Sequence, residues 1–354
     1  MTETILVTGV TGLVGSALAA GLLKQGARVL AIARGAPARA RSAVTRAAEG
    51  FGQPLTQTEL AGLIVAPPDL DALSRGGEIG AVTSAWHAAA EMSFLPEALD
   101  RSFQFNVGWT NKLYGLLAGA GRCQRLHYVS TAYVGGFASP RVREEIHLAP
   151  RLVTPYLITK WSAELSLEKA ARDSMPVTIF RPSLIVGHTE TGWYGGKSFG
   201  PYNFVDALRL AKSLGARALR AGLEPSIVHN YVAIDDLVHN ALALHRRHDA
   251  QASFEIVHCL GTDVANQLAL DQACDLLGLR FHCGPPESVA DRAVAGFLGP
   301  AIWFSSAPYV VGRIPLESTV LERLIGDDAR RTPIDAARCR ALFTWYLDNT
   351  APPG

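Results

Sequence analysis

The chain has 354 residues, 48% of them hydrophobic and 18% charged, enough to bury a core for one large or two modest domains. A formal net charge of +1, with no basic stripe interleaved with aromatics, excludes a nucleic-acid surface. The five cysteines (Cys123, Cys259, Cys274, Cys283, Cys339) form no CxxC pair, and the longest apolar stretch, Ala293 to Phe304, is broken by Gly296, Gly299 and Pro300, so reduced thiols and no transmembrane segment are expected. The first strand starts too early for a signal peptide, and a cytoplasmic location is the expectation.

That first strand is the apolar run Ile5-Leu6-Val7, followed by the loop Thr8-Gly9-Val10-Thr11-Gly12-Leu13-Val14-Gly15. Gly9 permits the tight turn, Gly12 lets backbone approach a pyrophosphate, and Gly15 lets the next helix pack close to the sheet. The backbone of Gly9, Thr11, Gly12, Leu13, Val14 and Gly15 is therefore the candidate phosphate cradle, at the positive end of a helix. Val14, Leu18 and Leu22 recur at helical spacing, Gly26 ends the helix, and residues 28–33 (RVLAIA) read as a second strand. Where an enzyme using NAD places an acid at the end of this strand, the chain has Arg34. Arg34 and Arg39 are candidates for a 2′-phosphate, which guanidinium groups grip bidentately, so NADP (NADPH) is the expected cofactor. For Arg39, Arg41 and Arg46 a solvated helix face is an equal reading.

Residues 82–90 (VTSAWHAAA) read as a strand running into small side chains, with Ala88, Ala89 and Ala90 leaving room for a cofactor over the strand end. Residues 105–117 read as a helix with Asn106 near its start, as a cofactor contact or a cap, and 125–130 (RLHYVS) as the next strand. Thr154 and Pro155 read as the N-cap and first residue of a helix, which puts Tyr156 and Lys160 one turn apart on one face. An ammonium beside a phenol lowers the phenol pKa from about 10 towards the working range. Thr131, just past a strand end, is placed to share a substrate oxygen with Tyr156, so Thr131, Tyr156 and Lys160 form the candidate catalytic set.

These motifs resemble the extended short-chain dehydrogenase/reductase family. The likeness is carried by TGVTGLVG at 8–15, HAAA at 87–90, FNVGWTNKL at 105–113, the Thr131/Tyr156/Lys160 set and RPSLIVG at 181–187. HYVSTAYVGG at 127–136, YLITKWSAE at 156–164, RPSLIVGHTETGW at 181–193 and HNYVAIDDLVHNALAL at 229–244 resemble more narrowly the branch of fatty acyl-CoA reductases, the male-sterility-type domain and terminal thioester reductase domains. The resemblance implies a Rossmann-type α/β doubly wound parallel sheet with a smaller, interleaved C-terminal substrate lobe. It implies that Pro182, Ser183 and Leu184 line the nicotinamide and that Tyr156 and Lys160 also touch the cofactor. The branch's Gly-Asp pair at the third strand end is replaced by IVAPPDL at 64–70, where Asp69 and Leu70 are the adenine-contact candidates. No adenylation or carrier segment is present, so a thioester would arrive on coenzyme A or on a separate acyl carrier protein.

The expected division is 1–190 as the NADP-binding domain and 191–354 as mainly the substrate lobe, with 229–259 folding back. In the second half, 192–200 (GWYGGKSFG) reads equally as a substrate-side loop or a plain surface loop. Tyr231 to Leu244 reads as a helix entry with Asp235 and Asp236 in its first turn, and Phe254 to His258 as a late strand. His239, His245 and His248 crowd one helix end, and the His258-Cys259 and His282-Cys283 pairs lack ligand spacing, so no metal is expected. Phe297, Leu298, Ile302, Trp303, Phe304 and Tyr309 are an apolar pocket or a partner surface, against the alternative of subdomain core. The function expected is an NADPH-dependent reductase passing hydride to a carbonyl, foremost an acyl thioester giving aldehyde or alcohol. A ketone or aldehyde reductase, a nucleotide-sugar epimerase or dehydratase, and a non-catalytic NADP-sensing protein are the alternatives.

Overall fold

The structure is a computed structural model that describes residues 3–136, 141–247, 252–306 and 314–352, with the side chains of 300–306 outside the description. Among the described residues there are twelve strands: β1 (Thr4–Thr8), β2 (Arg28–Ile32), β3 (Leu63–Ala66), β4 (Ser84–His87), β5 (Leu126–Val129), β6 (Val177–Pro182), β7 (Leu184–Val186), β8 (Ala218–Ala221), β9 (Val228–Ala233), β10 (Phe254–Cys259), β11 (Thr262–Ala265) and β12 (Arg280–Cys283). Seven make one parallel sheet in the order β10-β6-β5-β4-β1-β2-β3, the doubly wound order that reverses between β1 and β4. Its central strands β1, β4, β5 and β6 are buried on both faces, as the middle of a parallel sheet covered by helices requires.

Period two assigns the faces. Ile5, Val7, Val29 and Ala31 point into one core with the helices Leu13–Lys24, Pro37–Gly50 and Ile234–Arg246, while Leu6, Leu30, Ile32 and Tyr128 point into the other with Thr110–Ala120 and Pro155–Ala171. A third core joins β7, β9 and β11 to the helices Pro201–Ser213, Asn266–Leu277 and Ala336–Asn349. After residue 190 the chain returns to the main body at helix Ile234–Arg246 and β10, and again at helix Val320–Ile325, whose Leu321 and Ile325 are buried in the first core. Helix Ile234–Arg246 packs its Leu242 and Val238 on Gly21 of the first helix, and β10 pairs in parallel with β6, so that helix and that strand lie on the main sheet.

Several boundaries differ from the sequence reading. The Asn106 helix starts earlier: Leu99–Phe103 is α-helical, Gln104–Trp109 is a π turn and Thr110–Ala120 is α-helical again, so Asn106 lies inside a continuous run and caps nothing. Tyr231 is in β9, and the following helix begins at Ile234, with Asp235 and Asp236 in its first turn. The 192–200 segment is neither alternative in full. Trp193 is buried against Gly50 and Phe51, and Tyr194 stacks on Tyr202 at 4.0 Å, so its aromatics fasten the loop to two cores. Residues Val289–Ser306 form a helix kinked at Gly299, with Val294 and Leu298 buried in the third core and Phe297 exposed. The side chains of Ile302, Trp303 and Phe304, and all of Tyr309 and His248, lie outside the described residues.

Candidate active site

Both halves of the site sit at the carboxyl edge of the parallel sheet, where the strands of such a fold present their ends to ligands. At the reversal point, Gly9 has φ +74°, and a Cβ there would fall 2.7 Å from the Ala89 nitrogen; one on Gly15 would fall 2.3 Å from the Gly9 carbonyl oxygen. Only glycine lets the first turn, the Ala88–Ala89 backbone and the first helix close on one another. Gly12 is the N-cap of that helix without a side-chain cap, and the first turn carries no acid. Thr11 and Gly12 are exposed and Leu13 and Val14 half-buried, so the orphan N–H groups of this helix end face outward, as an anion requires.

The Ala88–Ala89 backbone is fixed from beneath by a network the sequence reading missed. Ala89 N–H donates to Thr8 Oγ1 at 3.0 Å, Thr8 Oγ1 lies 2.6 Å from His87 Nδ1, and His87 Nε2 lies 2.8 Å from Thr110 Oγ1. Because the Thr110 hydroxyl gives its proton to the Asn106 carbonyl, it accepts from His87 Nε2–H, and Nδ1 accepts from the Thr8 hydroxyl. Burial, with the Lys160 charge added, pushes the His87 pKa down to about 3, so the ring is neutral. Asn106 is likewise consumed by structure: Oδ1 accepts from Glu91 N–H at 2.7 Å, and Nδ2 donates to the Glu91 carbonyl and to Thr159 Oγ1, both at 2.9 Å.

Arg34 follows β2, exposed, with its guanidinium 5.7 Å from the Phe105 ring centroid and no hydrogen bond among the described residues. Arg39 is also exposed, on a helix whose first turn has no acid. Arg41, by contrast, donates to the Leu63 carbonyl at 2.7 Å and is tied to the start of β3. Asp69 caps the next helix through Ala72 N–H at 2.9 Å, with Leu70 beside it on the third-strand side of the sheet.

The chemical half is built by β5, β6 and helix Pro155–Ala171. Thr154 caps that helix by accepting from Leu157 N–H at 3.2 Å, with Pro155 in its first turn, which fixes the rotation of Tyr156 and Lys160. The helix packs on the turn Ala132–Gly135, whose N-cap is Thr131; Thr131 Oγ1 accepts weakly from Tyr133 N–H at 3.4 Å, which leaves its own proton to give. Lys160 is buried, donates to the Val129 carbonyl at 2.5 Å and lies 3.9 Å from the Tyr128 ring centroid. Ser130 and Ser183, at the adjacent ends of β5 and β6, are buried with no hydrogen-bond partner for either hydroxyl among the described residues. Pro182 and Leu184 are buried beside Ser183. The uncapped helix end, the glycine cradle and these two spare hydroxyls fit a dinucleotide laid from β1 across to β6.

One electrostatic expectation is reversed. Burial raises the Tyr156 pKa, and the Glu164 carboxylate two turns on raises it further, so the phenol stays protonated. Lys160 yields instead: burial pushes it down to about 7, with Glu164 opposing. Glu164 is a partner the sequence reading did not single out. Fully buried with Arg181 of β6, it accepts bidentately from Nε at 3.0 Å and Nη2 at 2.5 Å. Its signal was there, since Tyr156, Lys160 and Glu164 repeat every four residues along one helix face.

Among the described residues no group of three or more His, Cys, Asp or Glu is arranged to hold a metal ion. His239 bonds the Asp328 carbonyl at 2.9 Å, and His245 lies beside His127 and Glu3. The five cysteines are unpaired, four of them buried. No helix among the described residues is long and apolar enough to cross a membrane.

The sheet order, glycine cradle and Tyr-Lys helix define an NAD(P)-binding oxidoreductase fold of the extended short-chain dehydrogenase/reductase type. Within it, the chain belongs to the male sterility protein family, whose profile matches residues 7–214. It is 35% identical over 144 residues to a hybrid PKS-NRPS synthetase of an Acremonium species, covering 38% of this chain and 4% of that protein. It is 26% identical over 296 residues to a non-canonical nonribosomal peptide synthetase of Aspergillus campestris, covering 76% of this chain and 27% of that one. The chain thus spans well under a third of the length of these relatives. The terminal R domain from the myxalamid PKS-NRPS biosynthetic pathway shares the fold, with a TM-score of 0.78 at 20% identity over 98% of this chain and 91% of that one.

Proposed function

We propose that the protein is an NADPH-dependent carbonyl reductase whose foremost substrate is an acyl thioester, carried on coenzyme A or on a separate acyl carrier protein. The reading rests chiefly on one observation: a protonated Tyr156, Lys160 and Thr131 stand at the same sheet edge as the uncapped glycine cradle. That its relatives include a hybrid PKS-NRPS synthetase and a nonribosomal peptide synthetase favours the thioester over a free ketone or aldehyde. Residues 1–190 then act as the nucleotide domain, with 229–259 returning to it and the rest of 191–354 serving the substrate.

When bound, the nicotinamide supplies the hydride. The cradle from Gly9 to Gly15 binds the pyrophosphate, Arg34 with Arg39 meets the 2′-phosphate, and Asp69 and Leu70 border the adenine. Ala88, Ala89 and Ala90 would leave room for the cofactor over the strand end, Asn106 holds the loop after them, and Pro182, Ser183 and Leu184 would line the nicotinamide. Lys160 orients the ribose beside it. Tyr156 donates its proton to the carbonyl oxygen as charge develops there, and Thr131 gives that oxygen a second hydrogen bond. With a thioester the carbon then expels the thiol, and the product is an aldehyde; a second turnover gives the alcohol.

The test is NADPH oxidation across acyl-CoAs, carrier-bound thioesters, aldehydes and ketones, with products identified. Consumption of NADPH with release of free thiol supports the proposal. Purified protein that retains NAD tightly and consumes no NADPH would instead support a sugar-nucleotide epimerase or dehydratase.

A further inference from the structure

Tyr156, Lys160 and Glu164 recur every four residues on one face of helix Pro155–Ala171, and Lys160, Glu164 and the Arg181 it meets are all fully buried. Without the carboxylate, Lys160 and Arg181 would be two like charges in one dry interior. Arg181 leaves that carboxylate no freedom. Its Nε and Nη2 take the two Glu164 oxygens, Nη2 also donates to the Glu145 carbonyl at 3.0 Å, and Nη1 donates to the Arg143 carbonyl at 3.2 Å and to His258 Nε2 at 3.3 Å. His258 Nε2 is therefore an acceptor, and its Nδ1–H donates to the Glu317 carbonyl at 2.5 Å. Burial, with the Arg181 charge added, pushes the His258 pKa down to about 3, so that ring brings no charge to the group.

The same guanidinium reaches the surroundings of Thr131. Arg181 holds residues 143–145 by their carbonyls, and Trp161 Nε1 donates to the His147 carbonyl at 2.9 Å, so this stretch lies along helix Pro155–Ala171. Val142, at its start, closes on the turn after Thr131: a Cβ at Gly135 would fall 2.4 Å from the Val142 side chain. A buried ion pair adds little net stability over apolar side chains of the same shape, although breaking it is costly. What Glu164 supplies that an apolar residue cannot is an opposite charge one turn from Lys160.

On the reading proposed above, we infer that Glu164, clamped by Arg181, is a positioning residue of the reduction: its carboxylate is the counter-charge that keeps buried Lys160 an ammonium beside Tyr156. Among the described residues, the groups facing Lys160 are Tyr156 and Glu164 on its own helix, Tyr128 of β5 and His87 of β4. Those facing Glu164 and Arg181 are Tyr128, His258 of β10 and, beyond it, His147. Burial pulls Lys160 down to about 7 while Glu164 opposes, so removing the carboxylate lowers it further. The ammonium is then lost at a lower pH as pH rises.

The experiment titrates Lys160 by NMR of ligand-free protein labelled with 13C at lysine Cε, with Lys160→Met for assignment. Beside it runs the pH profile of kcat/KM for NADPH, with octanoyl-CoA or octanal as carbonyl acceptor. In Glu164→Gln the Lys160 midpoint falls by about one pH unit or more. A fall of that size lowers kcat/KM by about tenfold near pH 8 and by less than about twofold near pH 5.5. The double variant Glu164→Gln/Arg181→Met, which leaves no unpaired guanidinium in the core, shifts in the same direction by less and decides the matter if the single variant does not fold. His147→Gln leaves midpoint and profile at wild type. A Lys160 midpoint unmoved in both Glu164 variants, a loss of kcat/KM equal at every pH, or an equal shift in His147→Gln overturns this assignment and leaves the reductase reading intact. A wild type that oxidises NADPH with no thioester, aldehyde or ketone overturns both.

Discussion

Lys160 gives one ammonium hydrogen to the carbonyl of Val129, the last residue of the strand that leads to Thr131, so a single side chain ties helix Pro155–Ala171 to the sheet edge. Tyr156, one turn earlier, has no such anchor for its hydroxyl among the described residues, and on the proposed function that hydroxyl serves the substrate. Removing that proton donor with Tyr156→Phe is expected to lower the chemical rate by about a hundredfold to ten-thousandfold. Thr131→Ala costs less, because one oxygen donor remains. NADPH affinity stays close to wild type in both, as fluorescence titration will show, whereas Lys160→Ala damages binding and rate together. Full activity in Tyr156→Phe would mean that another group delivers the proton.

The same lysine gives a stability signature. Its pKa is about 7 when folded, because burial disfavours the ammonium, and about 10.4 in an unfolded chain. Between those values the unfolded state holds a proton that the folded state has released, so this group adds stability as pH rises from about 7 to 10, by up to about 1.4 kcal/mol per unit. Urea denaturation of ligand-free wild type and Lys160→Met across that window will show their stability difference shifting steadily towards the wild type. A difference independent of pH would place the ammonium in an ordinary environment.

The sequence was most readable where one local rule controlled the outcome. Thr154-Pro155 set the start of a helix, and the rotation of Tyr156 and Lys160 followed from the four-residue period. The glycine cradle was equally local, since Gly9 and Gly15 meet backbone that no side chain could approach. Long-range partners were not readable. Nothing adjacent to Glu164 announces Arg181, and His87 finds Thr8 and Thr110 only because parallel pairing brings β1 and β4 together. The Tyr156 pKa was misjudged for the same reason: the spacing showed a nearby cation, but the burial and the Glu164 charge that outweigh it come from tertiary packing.

His87 is expected to matter to cofactor affinity without touching the cofactor. His87→Leu takes one hydrogen bond from each of the buried hydroxyls of Thr8 and Thr110, leaving the first only the Ala89 amide and the second only the Asn106 carbonyl, at about 1 kcal/mol per bond. It also removes the ring that orients the Thr8 hydroxyl, the acceptor of the Ala89 amide beneath the Gly9 turn. Both the urea midpoint and NADPH affinity should fall. Because the ring stays neutral down to a pKa of about 3, the two losses are constant between about pH 5 and 8. A loss of affinity that appears only on one side of pH 6.5 would indicate a titrating histidine and contradict the tautomer assigned here.

Cofactor choice separates two arginines that the sequence presents alike. Arg34 is exposed at the end of β2 with its guanidinium unbonded among the described residues, while Arg41 is committed to the Leu63 carbonyl. A charge-assisted phosphate contact contributes about 1.5 to 3 kcal/mol. Arg34→Asp is therefore expected to weaken NADPH by about tenfold or more and to spare NADH, because the new carboxylate repels the 2′-phosphate but accepts from ribose hydroxyls. Arg41→Ala should do the reverse, costing about 1 kcal/mol of stability through its lost hydrogen bonds and leaving the NADPH-to-NADH ratio unchanged. Titration of both nicotinamides against the two variants, beside urea unfolding of each, measures all four quantities. Selectivity that is unmoved in Arg34→Asp would remove the ground for NADPH and return the choice of cofactor to NAD.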